Sequence, residues 1–431
     1  MSREENRKNF SKYVSQNILG MIGFSCYVLA DSYFISIAKG ADGLTALNLV
    51  MPLYSIIFSI GEMIGVGSAI RYAIGKIKKD ADADDYFWNA IIWCILSSML
   101  FVFAGIFFSA DIMRILGADE HIVAVGNNYT KIFMCFAPMF MCNYVTNAFV
   151  RNDGAPGIAM SATLFSSLFN IVFDYILMFP MNLGMEGAAL ATALSPIIGM
   201  GICSIHFFSK KSSVRLVVCK PSVRKLVAGS QLGVSAFVGE MSSAVITLAF
   251  NFVILKLAGN VGVAAYGVVA NIAIVTTAVF NGVAQGSQPL ISSCFGKGDN
   301  DGCTQLKRMG YTTAFVLAAV MYSILFIFAG QFVAVFNSEG SEMLRLYATE
   351  GVKLYFIGIF FAGINIVGGG AFSATEDAFK AAVVSVARGF VLILGAVFVM
   401  SALFGMTGVW LAYAVAEGIT TFIMLVMALR V

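Results

Sequence analysis

The sequence predicts an all-α polytopic membrane protein, with twelve transmembrane helices in two pseudo-symmetric six-helix lobes set as parallel repeats around a central cavity. Three observations predict it. Of 431 residues, 59% are hydrophobic and only 12% charged, about half the roughly 25% charge of soluble domains. Long apolar runs recur from end to end, each able to cross about 30 Å of hydrocarbon at about 1.5 Å per residue. The two halves of the chain also match each other.

The first six spans are expected over 14–37, 44–74, 87–109, 122–147, 156–180 and 184–208. The second six are expected over 226–258, 262–296, 306–336, 343–372, 378–403 and 406–429. Several are long and carry Gly or Pro (Pro52, Pro138, Pro289), so tilts and kinks are expected. The polar stretch SKKSSVRLVVCKPSVRK separates six spans from six. It divides the chain into a lobe at 1–208, a basic linker at 209–225 and a lobe at 226–431. The opening MSREENRKNFSKY is polar and precedes the first span without a cleavable apolar core, so the first span is expected to be retained and to serve as the insertion signal.

A net charge of +3 says less than its placement. Lys and Arg cluster at the start (Arg3, Arg7, Lys8, Lys12), after the second span (Lys76, Lys78, Lys79), in the linker, and after the eighth span (Lys297, Lys307, Arg308). The alternate loops hold only Lys39, Arg114, Lys256 and Arg345. By the positive-inside rule both termini and the linker face the cytoplasm of a cell membrane. The eight cysteines are scattered, with no CxxC or Cys/His cluster, which argues against a disulfide framework or a metal centre.

With a shift of 221 residues, Gly61, Gly65, Gly75, Lys76 and Asp80 fall on Gly282, Gly286, Gly296, Lys297 and Asp301. The same shift lays GMEGAALATA, from Gly184, over GMTGVWLAYA, from Gly405. Six spans per half keep the repeat's orientation in the membrane, and parallel repeats of this kind rock about a central cavity in known transporters. The repeated glycines read first as small-xxx-small steps for close helix packing.

Subtracting the repeat exposes what one half holds alone. Thr163, Ser167, Asn170 and Asp174 form a polar stripe along the fifth span. Under the shift, Asn170 falls on Val391, Asp174 on Gly395 and Thr192 on Tyr413. Other polar groups at membrane depth can meet the stripe: Asp31 in the first span, Thr192 in the sixth and Tyr129 in the fourth. A carboxylate at bilayer depth costs about 2.5–3.5 kcal/mol on insertion scales, so it needs a partner or a task. Two carboxylates in a desolvated site can share a proton, or ionise to receive Na⁺ with Asn and Thr oxygens as further ligands. The plain alternative is a satisfied polar network tying the first, fifth and sixth spans together.

Further acids are weaker signals. Glu240 in the seventh span and Asp377 near the start of the eleventh read equally as functional groups and as interfacial charges. Glu62 could pair with Arg71 only across a distorted helix, and Glu417 suits an interhelical hydrogen bond. His121 and His206 lie near span ends. Lys131 and Lys353 fit snorkelling to an interface. The 22 Met and 38 Phe residues suit a loosely selective cavity or ordinary lipid-facing filler. No GxxxxGK[ST] loop, HExxH or GxSxG motif is present, and no stretch outside the spans is large enough for an ATPase. An enzyme is not expected, and no cofactor.

The motifs ADSYF in the first span, AFVRNDGAPGIAM leading into the fifth, GMEGAALATALS, and NGVAQGSQPLISSCFGKGD in the second half resemble the multidrug and toxic compound extrusion (MATE) family. The resemblance covers nearly the whole chain. It implies an H⁺- or Na⁺-coupled antiporter that exports cationic or amphipathic drugs by alternating access. In the branch containing DinF and archaeal relatives it implies that Asp31, Asn170, Asp174 and Thr192, with Tyr129 nearby, form the cation-coupling site. Resemblance to the NorM branch implies an alternative second-lobe site at Glu240 and Asp377, although the ATED context of Asp377 departs from that pattern. The expected partners are H⁺ or Na⁺, small organic cations and membrane lipid, with a monomeric chain, no nucleic acid, and no metal other than Na⁺ at the coupling site. The competing readings are a flippase for lipids or lipid-linked oligosaccharides, and a receptor or assembly factor without transport.

Overall fold

The computed structural model describes residues 3–336 and 341–429; the outermost residues of the two expected lobes, 1–2 and 430–431, lie outside them. The described residues form helices, turns and an extended linker. Among them nine helices are long and apolar enough to cross a membrane, and a bent pair makes a tenth. Two of the nine hold two crossings each. Val223–Gly296 breaks at Gly259 (φ 62°), and the stretch Ala378–Met427 breaks at Gly405 (φ 59°). Twelve crossings result.

In chain order they are α1 (Arg3–Gly40), α2 (Asp42–Lys78), α3 (Asp85–Ile115), the bent α4 (Glu120–Cys135 and Ala137–Asn152, 46°), α5 (Pro156–Met178) and α6 (Gly184–Phe207). The second set is α7 (223–259), α8 (260–296), α9 (Asn300–Ile327), α10 (Glu342–Ala374), α11 (378–404) and α12 (405–427). Pro138 opens the second arm of α4, as expected of a residue that cannot donate within a helix. Pro52 and Pro289 lie inside unbroken helix.

The apolar surface is turned outward. On α3, Leu96, Leu100, Phe103 and Phe107 are exposed one helical turn apart, a stripe that needs lipid in place of water. The repeat is visible in the backbone. Gly40 and Gly259 end the first span of each half in the left-handed region, and Gly184 and Gly405 open the sixth span of each half there. A left-handed residue reverses the chain without a loop, at little steric cost only for glycine.

The lobes meet through two glycine-lined crossings. A Cβ on Gly233 of α7 would lie 1.9 Å from the Met63 carbonyl of α2, and one on Gly67 would lie 2.0 Å from the Gly229 carbonyl. On the other side, Gly282 and Gly286 of α8 would meet the Ile18 and Val14 backbone of α1 at 2.6 and 2.7 Å. Gly61 and Gly65 instead pack inside the first lobe, against Met141, Tyr144 and Val145 of α4. By role, then, Met63 and Gly67 correspond to Gly282 and Gly286. The second spans align at a shift two residues shorter than the 221 that aligns the sixth.

Apart from the Gln285 contacts in the cavity, polar contacts between the lobes gather at the end where α1 and α7 begin. Glu376, in the turn before α11, pairs with Arg71 and, at 3.4 Å, with Lys78 of α2. Asn6 donates to Gln305 at 3.2 Å, and Gln305 donates to the Arg3 carbonyl at 3.1 Å. Residues 213–222 run extended across the first lobe, held by Asp153, Asp84 and Asn89. Asp153 also accepts from Tyr72 and from buried His206, both at 2.8 Å, so His206 anchors the linker region.

Candidate functional site

The polar stripe of α5 turns inward, as its spacing predicts. Ser167, Asn170 and Asp174 are buried, while Leu168, Val172 and Tyr175 on the opposite face are exposed. Gly187 lets α6 close on the end of α5, where a Cβ would lie 2.8 Å from the Leu177 carbonyl carbon. That approach sets Thr192 against Asn170. With the amide oriented by its hydrogen-bond network, Asn170 donates to Asp174 Oδ2 at 3.1 Å and accepts from the Thr192 hydroxyl at 3.1 Å.

Asp31 of α1 and Asp174 are 6% and 0% exposed. Their charges act on one another, and each keeps a buried oxygen, Oδ1, without any hydrogen-bond partner. Tyr129 lies within the electrostatic reach of both. Its hydroxyl is hydrogen-bonded to that of Tyr54, whose ring stacks on Phe133 at 3.6 Å. Two carboxylates with unpaired buried oxygens beside an amide and a hydroxyl have the donor chemistry to take a proton or a Na⁺ ion.

The first two polar residues of the stripe, Thr163 and Ser167, also line a cavity between the lobes. Its wall includes Phe24, Tyr27, Phe58, Phe140 and Tyr144, together with Glu62, Arg151, Glu240 and Gln285. The grouping of Glu62 and Arg151 was not legible in the sequence. Glu62 does not reach Arg71, which is engaged with Glu376 and the Ala228 carbonyl. Glu62 accepts instead from Gln285 Nε2 at 3.2 Å, and Gln285 Oε1 accepts from Arg151 Nη1 at 2.7 Å.

The second lobe handles its buried acid differently. Arg388, on a π-helical turn of α11 (Ala387–Val391), donates to Glu417 of α12 from Nη2 at 2.7 Å and from Nε at 3.1 Å. Asn365 Nδ2 adds a donor to Glu417 Oε2 at 2.7 Å. Glu417 is thus the interhelical group expected, with Arg388 as an unforeseen partner; a lone Arg inside VSVARGFVLIL was the available signal.

Glu240 and Asp377 have separate surroundings. Glu240 lines the cavity. Asp377 is absent from that lining; it caps α11, accepting from Lys380 N at 3.2 Å and pairing with Lys380 Nζ at 3.1 Å. Lys131 is exposed and the Lys353 ammonium lies 5.2 Å from the Phe326 ring centroid.

Twelve apolar crossings in two lobes around an inter-lobe cavity that carries acidic side chains have the architecture of a multi-pass membrane transporter. The chain belongs to the MatE family, whose model matches residues 17–176 and 236–399. It is a MATE multidrug efflux transporter by family. It is similar to the multidrug export protein MepA of Staphylococcus aureus (strain MRSA252), 28% identical over 414 residues that cover 93% of this chain and 89% of the relative. MepA of Staphylococcus saprophyticus is 26% identical over 410 residues, with the same shares covered. Among solved structures, an outward-facing conformation of a multidrug resistance MATE family transporter of the MOP superfamily superposes with a TM-score of 0.92 at 20% identity, over 99% of this chain and 96% of that one. A MOP superfamily transporter from Pyrococcus furiosus gives 0.91 at 19% identity, over 99% and 95%. At these identities the structures establish the fold.

Proposed function

We propose that the protein is an H⁺- or Na⁺-coupled antiporter that exports organic cations and amphipathic drugs, with Asp31, Asn170, Asp174 and Thr192, and Tyr129 beside them, as the cation site. The observation that carries this reading is the pair of buried carboxylates, each with a partnerless oxygen, present in one lobe only. A purely structural carboxylate network would be expected to satisfy its charged oxygens first. One helix, α5, carries both the cation site and part of the cavity wall, so a cation bound at Asp174 can reshape the drug-binding surface. The lobes, 1–208 and 226–431, move as units about the linker 209–225, with both termini in the cytoplasm of the cell membrane. Contacts gathered at the Lys- and Arg-rich end then make this an outward-open state.

The flippase reading expects a basic cavity. Arg151 is the single basic residue among the described residues lining this one, and it is outnumbered by Glu62 and Glu240.

The test is efflux of a cationic dye from proteoliposomes under an imposed pH or Na⁺ gradient, comparing wild type with Asp31→Asn and Asp174→Asn. Efflux driven by one gradient and lost in both variants supports the assignment. Efflux that survives both substitutions moves the site to Glu240, and no efflux under either gradient refutes antiport.

A further inference from the structure

Glu62 and Glu240 face one cavity from different lobes, and their charges act on each other. Glu62 accepts one hydrogen bond, from Gln285. Glu240 accepts none from the described residues. Asn143 Oδ1, on the same wall, is buried without a donor. Several of the wall's own donors point away from the two carboxylates, and Asn143 Nδ2, Ser167 Oγ and Arg151 Nε make no hydrogen bond to them. Asn147 donates to the Ala159 carbonyl at 3.1 Å, Ser166 to the Ser195 carbonyl at 2.6 Å, and Ser195 to the Thr192 carbonyl at 2.9 Å. Gln285 is engaged at both ends. The hydroxyls of Tyr27 and Tyr144 can serve either role.

The cavity therefore presents surplus acceptors among aromatic faces. Arg151, 4% exposed, is the one cation among the described residues of the wall; its Nε is unpartnered and its Nη1 is committed to Gln285. When both carboxyls are ionised they exceed it by one negative charge, a state that an arriving cation favours over a proton shared between them, and they offer several acceptor positions to an occupant. Charge alone would welcome any organic cation. Unfilled acceptors discriminate further, because a site built to hydrogen-bond an N–H group rejects an analogue that lacks it.

We propose that this cavity selects aromatic cations bearing N–H donors (amidinium, guanidinium or protonated amine) over quaternary cations of similar size, with Glu62 and Glu240 accepting the N–H groups. The proposal deepens the reading of the protein as an exporter of organic cations and rests on it for its biological meaning. Binding can be measured apart from transport. Titration calorimetry of the purified full-length protein would compare benzamidinium with trimethylphenylammonium, two aromatic monocations of similar size.

The expected result is benzamidinium binding at least about tenfold tighter, with the ratio falling several-fold in Glu62→Gln. Glu240→Gln is a second variant with the same expectation, and the wild-type ratio alone already decides the question. Equal affinity, tighter binding of the quaternary ion, or a ratio unchanged in both folded variants would overturn the inference while leaving export intact. Failure of both cations to bind a protein that still exports dye would also overturn it. The expected ratio in a protein that exports nothing under either gradient would uphold the binding preference and sink the export reading.

Discussion

Arg388→Met tests how the second lobe tolerates a buried carboxylate. The Arg388 and Glu417 side chains are 15% and 3% exposed, and the guanidinium approaches Glu417 Oε1 at 2.7 and 3.1 Å and Oε2 at 3.2 Å. Without it, Glu417 keeps only the Asn365 amide as a side-chain donor. Removing one partner of a buried pair costs about 3–5 kcal/mol. At about 1.4 kcal/mol per factor of ten, heat inactivation in detergent should speed up by up to about two to four orders of magnitude. The double variant Arg388→Met/Glu417→Leu should recover most of the loss, because apolar replacement of both partners is often neutral or stabilising. Asn365 would stay satisfied, donating to the Glu417 backbone carbonyl at 2.9 Å and accepting from Thr421 at 3.0 Å. The assay is the half-life of the monodisperse peak on heating, followed by size-exclusion chromatography. A single variant as long-lived as wild type, or a double variant as short-lived as the single, would refute the reasoning.

Three further outcomes are expected. Gly233→Ala places a Cβ 1.9 Å from the Met63 carbonyl, so α2 and α7 must part; thiol labelling of a cysteine introduced at Ala228 should rise several-fold, and unchanged labelling would mean that the crossing slides freely. Glu376 sits at φ 60°, a conformation that costs a non-glycine residue roughly 1–2 kcal/mol, while its partly exposed ion pairs return about 1 kcal/mol or less. Glu376→Gly should therefore melt no lower than wild type yet lose closed-end contacts, and a clear drop in melting temperature would contradict that balance. Gly405→Ala should destabilise, since φ is 59° there, whereas Gly395→Ala, in helical conformation with nothing within 4 Å of the new Cβ, should stabilise by about 0.5–1 kcal/mol. Equal melting temperatures for the two would remove the distinction between backbone strain and free space.

The crossings were legible because apolar runs and polar breaks are local properties of the chain. Their ends were less so. The expected gap between 37 and 44 is almost all helix, closed by one left-handed glycine at position 40. The expected span 122–147 runs from Glu120 to Asn152, its start fixed by Asp119, which accepts from Ile122 N at 2.8 Å. The buried polar cluster of the first lobe was readable because Asn170 and Asp174 share a helix face and stand out against apolar neighbours. Glu62 was not, because Gln285 comes from the other lobe and Arg151 from another helix, and no local periodicity records either contact. Asp377 was ambiguous for the opposite reason: an acid just before an apolar run also caps a helix, and Asp377 does cap one.

The two lobes solve one physical problem in opposite ways. Each buries carboxylate at membrane depth, where an uncompensated charge is expensive. For Glu417 of the second lobe the compensating cation is part of the chain: Arg388 fills its oxygens, and the pair holds α11 to α12. A carboxylate neutralised by its own helix neighbour has no charge left to exchange with solution. In the first lobe Asp31 and Asp174 have no basic side chain paired with them among the described residues, and the donor Asp174 receives from those residues is the amide of Asn170. The proposed coupling supplies their compensation from outside the chain, as a proton or a small cation that can leave again. That difference, not the number of acids, supports placing the exchangeable charge at Asp31 and Asp174. It also sets a reciprocal expectation for the second lobe: with Arg388 removed from a protein that still folds, Glu417 should become a second exchangeable site, seen as altered H⁺ or Na⁺ dependence of efflux. If that dependence stays as in wild type, compensation by Arg388 is not what keeps the second lobe silent.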